Sequence, residues 1–146
     1  MKKGITFGAF DLCHAGHVLM FKEAKEHCDY LVVGLQKDPS HTSADYRGKK
    51  KNSPILSLEE RLIILQANRY IDEIIPYETE EDLYEILLKV KPDIRIIGAD
   101  WKGKKFTGYD LPMEIHYNSR DHKYSTSELR ERVYRSEKER LAEEGG

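Results

Sequence analysis

The run Tyr30-Leu31-Val32-Val33-Gly34-Leu35 carries no charged residue and no polar break. A strand with one wet face alternates apolar and polar residues, whereas an unbroken run has to be covered on both faces. Burial of both faces goes with a parallel sheet between two layers of helices. The rest of the chain supplies the matching pieces. Residues 5–7 read as a short first strand, and 18–27 as a helix with Val18, Phe21 and Ala24 at its apolar positions. Ser57 and Glu60 fit a capping box that opens a helix bearing Leu58, Leu62, Ile63, Leu65 and Ala67. Residues 73–75 read as a third strand. Residues 80–90 read as a helix with Leu83, Ile86, Leu87 and Val90 at helical spacing, stopped by Pro92. Residues 94–98 give a fourth strand, 114–117 a weaker fifth, and Ser125 caps a last helix running to about Leu141. Strands alternating with helices form right-handed βαβ units. The expected fold is therefore α/β, a Rossmann-like three-layer arrangement around a five-stranded, mainly parallel sheet.

In such sheets ligands bind beyond the carboxyl ends of the strands. The chemistry-bearing residues fall there. The first strand runs into Gly8-Ala9-Phe10-Asp11 and then His14-Ala15-Gly16-His17, which open the first helix. Residues three apart share one side of a helix. A helix start also presents free N–H groups and a positive dipole end, which attract phosphate. Two imidazoles added there suit a triphosphate. Gly8 permits a tight turn, and Gly16 has no side chain to block close approach. Ser125-Thr126-Ser127 at the last helix start can offer hydroxyls and N–H groups to phosphates. Arg120 can grip a phosphate bidentately. Lys49-Lys50-Lys51 sits on the polar stretch 36–54, read as a long loop of the kind that is often functional.

Each of these residues also has an ordinary reading. Ser125 could be a plain N-cap, Arg120 a surface ion pair, Arg61 an exposed helix arginine, and Asp11 a turn-stabilising aspartate. The lysine triplet could be a solvated surface, and Trp101 a packing residue. Cys13, His14 and His17, with His27 and Cys28, invite a zinc reading. A closed zinc site needs a consistent four-ligand set, which the spacing does not supply.

The segment from Gly8 to His17 resembles the G-T-F-D-x-x-H-x-G-H element of cytidylyltransferase-like nucleotidyltransferases. Arg69-Tyr70-Ile71-Asp72-Glu73-Ile74-Ile75-Pro76 is similar to the R-Y-V-D-E-V-I-P stretch of that superfamily. Gly98-Ala99-Asp100-Trp101-Lys102-Gly103-Lys104 resembles G-D-D-W-x-G-K of the glycerol-3-phosphate cytidylyltransferases, and Arg120 with Ser125-Thr126-Ser127 resembles their R-T-E-G-I-S-T-T. Lys123-Tyr124-Ser125-Thr126-Ser127 is also similar to the K-M-S-K-S loop of class I aminoacyl-tRNA synthetases. The likeness is collinear over about residues 2–132. It implies a catalytic set of His14, His17, Arg120 and a lysine of the triplet, with Lys49 and Lys51 carried forward. It implies nucleotide contacts at Phe7, Gly8, Ala9, Phe10, Gly16, Gly98, Asp100, Ser125 and Thr126. Asp11, Arg61 and Trp101 fall on the acceptor side. Mg²⁺ is implied because a triphosphate usually arrives with it, and a homodimer because relatives commonly form one.

The resemblance breaks at several places. Ala9 stands for threonine, Ala15 for a bulkier residue, and Asp121-His122-Lys123 for T-E-G, which adds a base and a lysine near the phosphates. The stretch 36–54 looks longer, and Phe106-Thr107-Gly108-Tyr109 looks inserted. These changes touch acceptor choice.

The chain has 146 residues, enough for one domain, 34% charged residues and a net charge of −2. That balance argues against nucleic-acid binding. No apolar run approaches the ~20 residues of a membrane span, and the first strand follows so closely on Met1 that no signal peptide is expected. Two cysteines do not suggest a disulfide framework, so a cytoplasmic setting is the simpler expectation. The absence of a G-x-G-x-x-G turn argues against a dehydrogenase. The expected organisation is a nucleotidyltransferase domain over 1–132 and a charged helix end and tail over 133–146. The expected activity is transfer of CMP from CTP to a small phosphorylated alcohol, glycerol 3-phosphate first, giving CDP-glycerol and pyrophosphate. Alternatives are the same reaction with ATP and a sugar phosphate, FMN or phosphopantetheine, or a nucleotide-binding module without turnover.

Overall fold

The computed structural model describes residues 1–119 and 121–145, with Thr42 by its backbone alone. Five strands form one sheet: β1 (Lys3–Gly8), β2 (Tyr30–Gln36), β3 (Glu73–Tyr77), β4 (Ile94–Gly98) and β5 (Glu114–Asn118). Their order is β3-β2-β1-β4-β5, and every pairing is parallel. The chain moves outward from β1 to one edge through β2 and β3, then returns to build the other half. This reversal leaves a crevice at the carboxyl ends of β1 and β4, where doubly wound sheets bind ligands.

Helices α1 (Ala15–Glu26) and α3 (Leu58–Gln66) cover one face, and α4 (Glu80–Val90) covers the other. The interior strand β2, between β3 and β1, is buried from Leu31 to Gln36, as its apolar run requires. Its alternate residues serve different layers. Leu31, Val33 and Leu35 pack with Phe21, Ala24, Leu65, Ile94 and Ile96. Val32 packs with Ile5, Tyr77, Leu83, Ile86 and Leu87. Gly34 is the exception in β2: a Cβ there would lie 2.2 Å from Cδ1 of Phe7. The missing side chain is the seat of the Phe7 ring.

The capping box predicted at Ser57 and Glu60 is present, with Glu60 N–H donating to Ser57 Oγ at 3.1 Å and Ser57 N–H to Glu60 Oε1 at 3.0 Å. Two expectations need correction. First, α1 starts at Ala15, so Gly16 and His17 lie in its first turn. Val18 faces outward at 41% exposure while Phe21 and Ala24 carry the packing. Second, the stretch 36–54 is not all loop. Asp38 caps a one-turn helix α2 (Pro39–Thr42), and Ala44 bridges to Lys50. A 3-10 turn (Ala99–Trp101) follows β4, and α5 (Thr126–Gly145) ends the described chain. Only the first turns of α5 touch the domain; residues 131–145 are exposed throughout. No described helix is long and apolar enough to cross a membrane.

Candidate active site

After β1 the chain has to reverse at once to begin α1. Phe10 (φ 48) and Leu12 (φ 50) take left-handed backbone conformations to do so. Residues with a Cβ rarely adopt that region, and each instance costs about 1–3 kcal/mol. Asp11, between them, secures the turn. Its Oδ2 accepts from Ile55 N–H at 2.7 Å and its Oδ1 from Leu56 N–H at 2.9 Å. The loop entering α3 is thereby tied to the loop leaving β1.

His14 is the N-cap of α1. Gly16 N–H donates to His14 Nδ1 at 3.0 Å, and His14 N–H donates to His17 Nδ1 at 3.3 Å. Two imidazoles thus perform the reciprocal capping that Ser and Glu perform elsewhere. The bonds assign the tautomers: a ring whose Nδ1 accepts carries its proton on Nε2. His14 Nε2–H accordingly donates to Thr126 Oγ1 at 3.1 Å, joining the start of α1 to the start of α5. The two rings stack with centroids 4.0 Å apart. Gly16 makes room for His14 and His122, because a Cβ would lie 2.8 Å from Cε1 of His14 and 3.0 Å from Cε1 of His122.

Burial, and then the neighbouring His122, lowers the pKa of His14 from its ordinary value. Burial, and then His14, lowers that of His17 to about 4, with Asp11 opposing. At neutral pH both rings are uncharged N–H donors rather than cations.

Two cavities flank the pair. One, of about 230 Å³, is lined by Phe7, His14, Gly16, His17, Gly98 and Ser125, with Thr6, Met20, Asn118, His122 and Tyr124. The other, of about 190 Å³, is lined by Ala9, Phe10, Asp11, His17, Lys51 and Thr126, with Pro39, residues 52–54, Ser127 and Arg130. A larger apolar groove of about 610 Å³ runs past Leu87, Pro92, Leu111 and Met113 at the amino-terminal ends of β4 and β5. None of the candidate catalytic or binding residues read from the sequence lines it.

The expected residues divide accordingly. His14, His17, Gly16, Gly98, Ser125 and Thr126 come together. Lys51 is half-buried and lines the second cavity, and burial lowers its pKa. Lys49 and Lys50 are exposed and line neither cavity, so the structure singles out Lys51 within the triplet. Gly8 lies under the Phe10 ring. Phe10 is a core residue that meets His17 edge-on with centroids 5.6 Å apart, and so supports that ring. The Phe7 ring lies on the α4 face, between Tyr77 and Arg95. Asp100 and Trp101 sit on the 3-10 turn, exposed and half-buried respectively, outside both linings. Arg120 lies outside the described residues.

Arg61 is a correction. Rather than facing an acceptor, it is 2% exposed, and its guanidinium donates to the carbonyls of Ala9, Gln36, Lys37, Leu56 and Ser57. It knits the loops after β1 and β2 to the start of α3. Asp11, expected on the acceptor side, has both oxygens committed to backbone N–H groups in the same way. Two residues escaped the sequence reading. Arg130 lies four residues after Thr126, so helical periodicity alone puts both on one face. His122 was noticed only as a departure from a motif. Among the described residues no group of three or more His, Cys, Asp or Glu is placed to hold a metal ion.

Residues 5–132 match the model of the cytidylyltransferase-like family. The chain is 35% identical over 133 residues to glycerol-3-phosphate cytidylyltransferase of Bacillus subtilis, covering 91% of this chain and 98% of that one. It is 37% identical over 116 residues to the bifunctional protein HldE of Campylobacter concisus, covering 78% of this chain and only 24% of HldE. Among solved structures, the lipopolysaccharide core biosynthesis protein of Thermoplasma volcanium superposes with a TM-score of 0.63 at 30% identity, over 86% of this chain and 99% of that one. Pantothenate synthetase of Thermus thermophilus, at 15% identity and a TM-score of 0.53 over 81% of this chain and 55% of its own, shares the fold. With the paired histidines at the crevice and the match spanning nearly the whole sheet, the chain belongs to the cytidylyltransferase-like family of nucleotidyltransferases.

Proposed function

We propose that this enzyme transfers CMP from CTP to a small phosphorylated alcohol, with glycerol 3-phosphate the first candidate, giving CDP-glycerol and pyrophosphate. The observation that carries the reading is the stacked His14–His17 pair, neutral and donating, at the start of α1 and in contact with the start of α5. An oxygen of the acceptor phosphate attacks the α-phosphorus, the bond to the β-phosphate oxygen breaks, and pyrophosphate leaves in line. No side-chain nucleophile is needed. The protein's task is to position the reactants and to stabilise charge on the phosphoryl oxygens.

His14 is assigned to the α-phosphate. A phosphate oxygen taking the place of Thr126 Oγ1 would accept the same Nε2–H, and the Thr126 hydroxyl would then be released to a second oxygen. Lys51 and Arg130 line the cavity on the far side of His17 and supply positive charge for the β- and γ-phosphates. Mg²⁺ is assigned to the incoming triphosphate, in keeping with its preference for substrate phosphates over protein cages.

Support for CTP comes from the resemblance at Asp100-Trp101 and Gly103-Lys104 and from the 35% identity to a glycerol-3-phosphate cytidylyltransferase. One observation favours a different acceptor. Thr107 O accepts from Arg95 Nη1, and the Arg95 guanidinium lies between the faces of Phe7 and Phe106, at 5.1 and 5.0 Å from their centroids. The segment that looks inserted in the sequence is thus packed against side chains of β1 and β4, the two strands that border the crevice. The second reading therefore keeps the reaction and exchanges the substrates for another polyol phosphate, or for ATP with a sugar phosphate or FMN. A homodimer built on the exposed Ile63 and Ile64 of α3 and a cytoplasmic setting complete the proposal.

The test is pyrophosphate release with Mg²⁺, CTP or ATP, and a panel of phosphorylated acceptors. Release with CTP and glycerol 3-phosphate alone would establish base and acceptor. Release with CTP and another polyol phosphate would move the acceptor. A clear preference for ATP would overturn the cytidylyl assignment. Nucleotide binding without release for any pair would leave a binding module.

A further inference from the structure

His122 stands on the loop between β5 and α5 and lines the cavity that also holds His14, Gly16 and Gly98. The resemblance to known nucleotidyltransferases assigns it nothing, since it occupies a position at which the chain departs from their motif. Its placement is nevertheless specific. Tyr124 N–H donates to His122 Nδ1 at 3.1 Å, which leaves the ring proton on Nε2. The Tyr124 ring stacks on the imidazole with centroids 5.3 Å apart and limits its rotation. A Cβ on Gly16 would meet Cε1 of His122 at 3.0 Å and Cε1 of His14 at 2.8 Å. The two rings therefore converge on one spot, the first turn of α1. Nε2 is bonded directly to the Cε1 that reaches this spot, so its N–H is carried to the mouth of the helix.

From this geometry we infer that His122 is a third imidazole ligand of the nucleotide and donates its Nε2–H to an oxygen of the α-phosphoryl group beside His14. The inference rests on the nucleotidyl-transfer reading above and deepens it. His17 lies on the side of His14 that opens to Lys51 and Arg130. His122 lies on the other side, towards Asn118, Gly98 and the remainder of the first cavity. A nucleotide laid across the three rings puts its β- and γ-phosphates towards Lys51 and its nucleoside towards Asn118. Its α-phosphate then sits at His14, within the span shared by His14 and His122. The charge that grows on the α-phosphoryl oxygens during transfer meets two donors there instead of one. Preorganised donors at a developing negative charge account for much of the rate enhancement in such reactions.

The test compares nucleotide and nucleoside in both base series: CMP against cytidine, and AMP against adenosine. Imidazole nitrogen resonances are followed by NMR, and affinities by calorimetry, for the wild-type chain and His122→Gln. The expected result is a shift of His122 Nε2 with the monophosphate and little with the nucleoside. His122→Gln is expected to weaken the monophosphate about tenfold or more while leaving the nucleoside unchanged. An equal effect on nucleoside and monophosphate would overturn the phosphate contact. Shifts at His14 and His17 with none at His122 would overturn this inference and leave nucleotidyl transfer standing. No shift at any histidine with CMP, AMP, CTP or ATP would overturn both.

Discussion

The His17 imidazole stacks on that of His14, tilted by 28° with centroids 4.0 Å apart, and accepts the His14 backbone N–H through Nδ1. One ring thus holds the other in place while keeping its own Nε2–H free of that bond. Substitution of His14 by alanine removes both the proposed phosphate donor and a helix cap. Turnover is expected to fall about 10²–10³-fold, the range for loss of one preorganised donor. Stability should fall by only about 1 kcal/mol, the typical cost of a lost N-cap. Pyrophosphate release and urea unfolding read the two effects separately.

The depressed pKa of His17 makes stability depend on acidity in a defined window. Its ordinary value is 6.5, and in the folded chain it is about 4. Above 6.5 the ring is neutral folded and unfolded, and contributes no pH dependence. Between 6.5 and 4 the unfolded chain binds the proton and the folded chain does not, so stability falls as the pH falls. Below about 4 the contribution levels off. Unfolding free energies measured from pH 7 to 4 should show a positive slope that is reduced in His17→Asn.

Of the lysine triplet, only Lys51 lines a cavity at the histidines. Lys51→Ala is expected to lower kcat/KM at least tenfold, and Lys49→Ala by no more than about twofold. Equal effects of the two substitutions would remove Lys51 from the site. Steady-state kinetics in nucleotide and acceptor would show which substrate loses binding.

Arg61 is expected to behave as a structural residue. Arg61→Ala removes the guanidinium donor from five carbonyls, of which Ser57 O keeps the Arg61 backbone N–H, and leaves a cavity in the layer beneath the site. The loss of stability should be about 3 kcal/mol or more, from unmet buried acceptors and lost packing together. An Arg61→Ala protein with unchanged stability and a selectively raised KM for the acceptor would restore the ligand-binding reading.

The sequence was legible where structure is local. The both-face burial of β2, the Ser57–Glu60 box and the helical spacing of Leu83, Ile86 and Leu87 depend on near neighbours, and all appear in the fold. Asp38-Pro39 carried a local signal too, an N-cap followed by proline at the first helical position, but its helix is a single turn inside a polar stretch. Arg61 was illegible because its partners lie as far away as Ala9, 52 residues earlier. A charged residue on an amphipathic helix gives no sign, by itself, that carbonyls from other loops will surround it. Lys51 could not be separated from Lys49 and Lys50 for a similar reason: the Ala44–Lys50 bridge and the turn at Asp45 decide which lysine faces inward.

The hydrogen bond from His14 to Thr126 spans 112 residues of chain. A growing polypeptide that has yet to deliver residue 126 holds an exposed half of the site, with two imidazoles and no opposing helix. Activity during synthesis should therefore switch on late and abruptly, after most of the sheet has formed. Any ligand gripping both helix starts would act as a clasp between the two ends of the domain. Proteolytic trimming from the carboxyl end should leave function intact until it reaches Arg130 in the second turn of α5, and then abolish it within a few residues.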